Sequence, residues 1–138
     1  MANYIVKFKN FEVWADRGEK FYDEKWGNKY RFKVYIKNLT TGQVADFYFY
    51  DTTKNYKRGK RELKDKDLEE VLYYLRLDLK SLELDYERFK KMFAKDDEEA
   101  KKLLEKIKEE AEKMRKIGIT AEILTEFLRS RGYCFAFI

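Results

Sequence analysis

The hydrophobic residues change period halfway along the chain, and that change limits the folds open to it. Tyr30, Phe32, Val34 and Ile36 alternate with Arg31, Lys33, Tyr35 and Lys37, the two-residue period of a strand with one buried face. Asn38-Leu39-Thr40-Thr41-Gly42 supplies turn residues. From Val44 to Asp51 the alternation resumes, with Ala45, Phe47 and Phe49 on one side and Asp46, Tyr48 and Tyr50 on the other. The two runs predict a β-hairpin. Upstream, Tyr4, Val6 and Phe8 share one parity and Phe11 and Val13 the other, so a bulge or break is expected near Asn10. Trp26-Gly27-Asn28-Lys29 reads as a turn, preceded by a short strand over Phe21 to Lys25.

Beyond residue 66 the spacing becomes helical. Leu68, Val71, Leu72, Leu75 and Leu79 form one stripe, with Asp65 or Asp67 as the cap of its first turn. Phe89, Met92 and Phe93 mark a short helix capped by Asp85. Ala100, Leu104, Ile107, Ala111 and Met114 mark a third, capped by Asp96 or Asp97 and closed by Gly118 as a left-handed C′ residue. Thr120 caps a fourth, with Ile123, Leu124, Phe127 and Leu128 inside and Gly132 at its end. The apolar tail Tyr133 to Ile138 is expected to dock as a last strand or against the core.

The expected fold is therefore α+β, an antiparallel β-sheet of N-terminal hairpins packed against about four C-terminal α-helices. It is expected as a single domain over 1–138: sheet in 1–51, basic loop in 52–66, helices in 67–132, terminal strand in 133–138. Of the 138 residues 44% are apolar and 17% aromatic, enough to build a core although 41% are charged. No apolar run approaches the roughly 20 residues of a membrane span. Met1-Ala2-Asn3-Tyr4 has neither the basic nor the apolar segment of a signal peptide. One cysteine leaves no intramolecular disulfide and fits a reducing cytoplasm. Histidine is absent, which removes Ser-His and Cys-His catalysis and every His-containing metal site. No cofactor is expected. Abundant Lys and Glu with a single glutamine, Gln43, lean towards a thermophilic source, while the absence of proline leans away from one.

Charge is uneven. Residues 1–64 hold 15 Lys/Arg against 8 Asp/Glu, and residues 65–138 hold 16 against 18, an asymmetry that suggests an acidic or nucleic-acid partner. Two binding sites are candidates. On the hairpin, Arg31, Lys33, Tyr35 and Lys37 lie near Asp46, Tyr48 and Tyr50. Aromatics can stack bases while Lys and Arg meet phosphates, but an ordinary solvated sheet face has the same composition. In the segment Lys54 to Arg61, Lys54, Tyr56, Lys57, Arg58, Lys60 and Arg61 could clamp a phosphate backbone or an acidic protein surface, or form a solvated loop.

Asp51 followed by Glu62-Leu63-Lys64 has the order of a metal-dependent nuclease centre. That chemistry wants the glutamate and lysine on a strand, and here they precede a helix. The third helix has two heptads, too few for an independent coiled coil, so a monomer or weak dimer is expected. Cys134 has no histidine to activate it and is expected in the core.

The stretch Lys33 to Leu79 resembles a group of small uncharacterised phage and prophage proteins. The resemblance rests on Phe47-Tyr48-Phe49-Tyr50-Asp51, then Lys57-Arg58-Gly59-Lys60, then Asp67-Leu68-Glu69-Glu70-Val71-Leu72-Tyr73-Tyr74-Leu75. Tyr86 to Phe93 and the charged helix from Asp97 follow the same order. The chain departs from the group in having no proline before the first helix and no Gly-Tyr-Asp after the second. The resemblance implies a mobile-element accessory protein. The expected function is non-enzymatic: an anti-CRISPR-like protein that occupies a host protein or nucleoprotein surface. The alternative is sequence-independent binding of nucleic acid through the basic loop and the Tyr/Lys face.

Overall fold

β4 (Gly27–Asn38) organises the sheet. It is 12 residues long, and its regular alternation lets it carry neighbours on both edges. In this computed structural model, which describes residues 4–24, 27–51 and 61–135, β5 (Val44–Asp51) pairs antiparallel along one edge, from Tyr30↔Asp51 to Lys37↔Val44. Along the other edge run β2 (Phe11–Ala15), opposite residues 34–38, and β3 (Glu19–Asp23), opposite residues 27–31. β1 (Val6–Phe8) pairs outside β2. The fold is α+β, with this five-stranded antiparallel sheet followed by four helices among the described residues.

Two compact units make up the chain, Met1–Val71 and Leu72–Ile138. In the first, one sheet face is buried as the alternation requires: Val6, Phe8, Phe11, Val13, Tyr30, Phe32, Val34, Ile36, Ala45 and Phe47 are all buried. Leu63, Leu68 and Val71 are buried in the same unit.

The parity break at Asn10 is a hairpin rather than a bulge. Phe8 pairs with Phe11 across Lys9 and Asn10, and Lys9 takes a positive φ of 50°. Asn10 then ties this turn to the next. Its Nδ2 donates to Asn38 Oδ1 and Thr40 Oγ1, each at 3.0 Å, and its carbonyl accepts from the Leu39 N–H at 2.7 Å. A true bulge lies further on. Ala15 faces Val34 and Glu19 faces Arg31, so three residues oppose two on β4. The Asp16 N–H holds the bulge to Lys33 O at 2.9 Å. Gly18 passes directly over the Phe32 ring, leaving no room for a side chain.

The expected turn at 26–29 is corrected in part. Gly27, Asn28 and Lys29 belong to β4, because the β3 ladder extends to Asp23↔Gly27. The expected strand over 21–25 becomes Glu19–Asp23, displaced by the bulge that precedes it. Trp26 and Lys25 lie outside the described residues.

α1 (Asp65–Ser81) contains the boundary between the two units. Neither expected aspartate is its N-cap. Asp67 instead reaches back to accept from the Lys64 N–H at 2.9 Å, satisfying a donor ahead of the first turn. The later helices follow their local signals. Asp85 caps α2 (Tyr86–Phe93) by accepting from Arg88 N–H at 2.8 Å. Asp96 caps α3 (Asp97–Lys116) through Glu99 N–H at 2.8 Å. Thr120 caps α4 (Ala121–Ser130) through Ile123 N–H at 3.3 Å. Gly118 and Gly132 end α3 and α4 with φ of 89° and 93°. No helix among the described residues is long and apolar enough to cross a membrane.

The tail docks without forming a strand over Tyr133–Phe135; residues 136–138 lie outside the described residues. Tyr133 and Phe135 both stack on Tyr73 of α1, with centroids 5.9 Å apart in each case. The Arg76 guanidinium lies 3.7 Å from the Phe135 centroid and its Nε donates to Thr125 Oγ1. Alternate residues of the tail thus face α1, and Cys134 between them is exposed. The expectation that Cys134 is a core residue is overturned by this alternation.

Candidate binding face

The sheet face opposite the core carries the hairpin residues singled out by sequence. Register places Arg31 beside Tyr50, Lys33 beside Tyr48, Tyr35 beside Asp46 and Lys37 beside Val44. Side chains of directly opposed residues on one face touch, and here they interlock. The Arg31 guanidinium sits 4.7 Å from the Tyr48 ring centroid. Lys33 Nζ lies 5.8 Å from the Tyr35 centroid and 5.9 Å from that of Tyr48. Tyr48 and Tyr50 are neighbours at 6.3 Å and remain 46% and 37% exposed.

β2 and β3 bring residues that the hairpin pattern does not reveal. Trp14 stacks on Tyr35 at 5.5 Å with planes 14° apart. Phe21 meets Tyr50 edge-on at 5.5 Å and lies 5.7 Å from the Arg31 guanidinium. Lys29 Nζ is 5.8 Å from the Tyr50 centroid. Trp14 and Phe21 have opposite parity in the sequence, and the one-residue bulge at 16–18 puts both on this face. The sequence signal for it is Gly18, a glycine inside an otherwise strand-like run.

Carboxylates interleave with the cations. Glu19 forms an ion pair with Arg31 that raises the guanidinium pKa above its ordinary value. Lys29 faces Asp23 at 3.9 Å, and Lys7 faces Glu12 at 3.4 Å. Tyr35 donates its hydroxyl to Asp16 Oδ2 at 2.8 Å, which raises its pKa because the bond favours the protonated phenol. The result is a mixed-charge aromatic surface rather than a continuous cationic track.

The second candidate falls mostly outside this description. Lys54, Tyr56, Lys57, Arg58 and Lys60 are not among the described residues. Arg61 is exposed, and its carbonyl accepts from the Gly18 N–H at 2.6 Å, anchoring the chain to the bulge. The Asp51 side chain is likewise outside the described residues. Glu62 and Lys64 are exposed in the irregular segment before α1, not on a strand. Among the described residues no three Asp, Glu or Cys side chains cluster as a metal site requires.

The chain matches no family model, no curated protein and no solved structure. The chemistry of the face itself therefore bears on function.

Proposed function

We propose that the chain is a non-enzymatic binding protein whose aromatic sheet face docks on the surface of a partner protein. In the setting implied by the phage-type resemblance, the partner is a host protein or nucleoprotein complex and docking inhibits it. The observation that carries this reading is the cluster around Arg31. A guanidinium stacked on the exposed Tyr48, with Tyr50 and Phe21 beside it, presents the Tyr and Arg chemistry that dominates protein interfaces. The interleaved carboxylates Glu12, Glu19, Asp23 and Asp46 favour a mixed-charge partner and disfavour a phosphate backbone.

Direct nucleic-acid binding is the second reading, favoured by the 15 basic against 8 acidic residues in 1–64. Fluorescence anisotropy with labelled single-stranded DNA, duplex DNA and RNA separates the two. The protein-surface reading predicts no binding tighter than about 10 μM near 0.15 M salt. Micromolar or tighter binding overturns it, provided the affinity falls steeply with salt and is lost when Lys57, Arg58, Lys60 and Arg61 become Ala.

A further inference from the structure

A groove in the second unit has the features of a docking site distinct from the sheet face. It opens between the α1–α2 connection, α2 and α3. Its floor is apolar: Leu82, Leu84 and Leu104 are half-buried and Phe89 is fully buried. Tyr86 forms one wall and is fixed there, its hydroxyl donating to Asp97 Oδ1 at 2.9 Å. The charge of Asp97 is taken up by Lys90, whose Nζ lies 2.8 Å away. Lys108 and Arg115 of α3 complete the lining. Both are exposed, and neither has an ion-pair partner among the described residues.

Helical geometry sets the spacing of this rim. Leu104, Lys108 and Arg115 follow one another at i, i+4 and i+11, on one stripe of α3. The two cations stand about 10 Å apart along the axis, and the stripe from Leu104 spans about 16 Å. A peptide of about five residues in polyproline II conformation covers that length, and its residues i and i+3 lie on one face about 9 Å apart. We propose that this groove binds a short acidic peptide segment of a partner protein. One or two large apolar residues fill the floor over Leu82, Leu84, Phe89 and Leu104, and carboxylates on either side meet Lys108 and Arg115. The charge complementarity specifies the occupant, since an apolar groove edged by two unpaired cations selects against neutral or basic peptides.

The test is selection from a displayed random-peptide library on the full chain, followed by anisotropy with the enriched peptides. Enrichment of leucine or phenylalanine flanked by Asp or Glu about three positions apart is expected. Binding should weaken about tenfold or more in Lys108→Glu/Arg115→Glu. It should persist in Lys91→Glu/Lys95→Glu, which makes the same charge change at exposed positions that do not line this groove. The proposal is overturned by no enrichment, by enriched peptides without acids, or by equal loss in the two variants. It is also overturned if sedimentation shows a dimer that the groove variant abolishes, because a second copy of the chain then occupies the groove. Unchanged melting of both variants establishes that lost binding is not lost folding. Arg31→Glu on the sheet face should leave this binding intact, so the two readings fail separately.

Discussion

A methyl group built on Gly18 would lie 2.4 Å from Cε1 and 2.7 Å from Cζ of Phe32, a ring with no exposed surface. The ring belongs to the packed side of β4 and has little room to withdraw. Gly18→Ala is therefore expected to destabilise the protein by about 1–3 kcal/mol. Urea denaturation reads this as a lower midpoint at unchanged slope; an unchanged midpoint would show that the bulge does not depend on a bare backbone at this position.

The same bulge explains what single-residue inspection misses. Arg31, Lys33, Tyr35, Tyr48 and Tyr50 could be placed together because one hairpin fixes their register. Trp14 and Phe21 could not, because their common face depends on the extra residue of the bulge at 16–18 that lies between them. The exposure of Cys134 escapes a reading of the sequence for a related reason. Hydrophobicity marks the tail as docked, but only the stacking partner Tyr73 decides which parity faces inward.

At the level of elements, helix ends were the most legible feature. Asp85, Asp96, Thr120 and Gly118 act through hydrogen bonds or backbone torsions within one turn, so a local pattern contains the whole cause. Packing between helices has no such local signature. Asp78 of α1 and Glu110 of α3 illustrate it. Burial raises Asp78 to about 6, opposed by Lys106. Burial and the charge of Asp78 raise Glu110 to about 7, opposed by Lys106 and Lys113.

Both carboxyls therefore bind protons more tightly in the folded chain than in the unfolded one. Their stabilising contribution is complete below the ordinary carboxyl range and is lost as pH rises through about 6 and about 7. Glu110→Gln removes the group with the higher of the two values. It is expected to raise stability at pH 8 by about 1–3 kcal/mol and to flatten the loss of stability between pH 4.5 and pH 7. Denaturation curves collected across that range decide the point. A variant that tracks the wild type at every pH would mean that the carboxyl is solvated in the folded state.

For the whole molecule, the uneven charge acquires a more specific meaning. The basic excess of residues 1–64 does not form an unbroken cationic track on the sheet face, because Lys7, Lys29 and Arg31 each face a carboxylate. Paired charges around exposed tyrosines suit a partner that presents both signs together with an apolar contact, which is the composition of a protein surface. The measurement that bears most directly on this is site-specific photocrosslinking in lysate of the source cell, with and without nuclease treatment. A benzophenone side chain is placed at Tyr48, or at Tyr74 of α1, which is equally exposed at 45%. A discrete protein adduct is predicted from position 48 alone, and it should disappear in Arg31→Glu. Absence of a protein adduct at position 48 both with and without nuclease, or the same adducts from position 74, would contradict a protein-binding role for the sheet face.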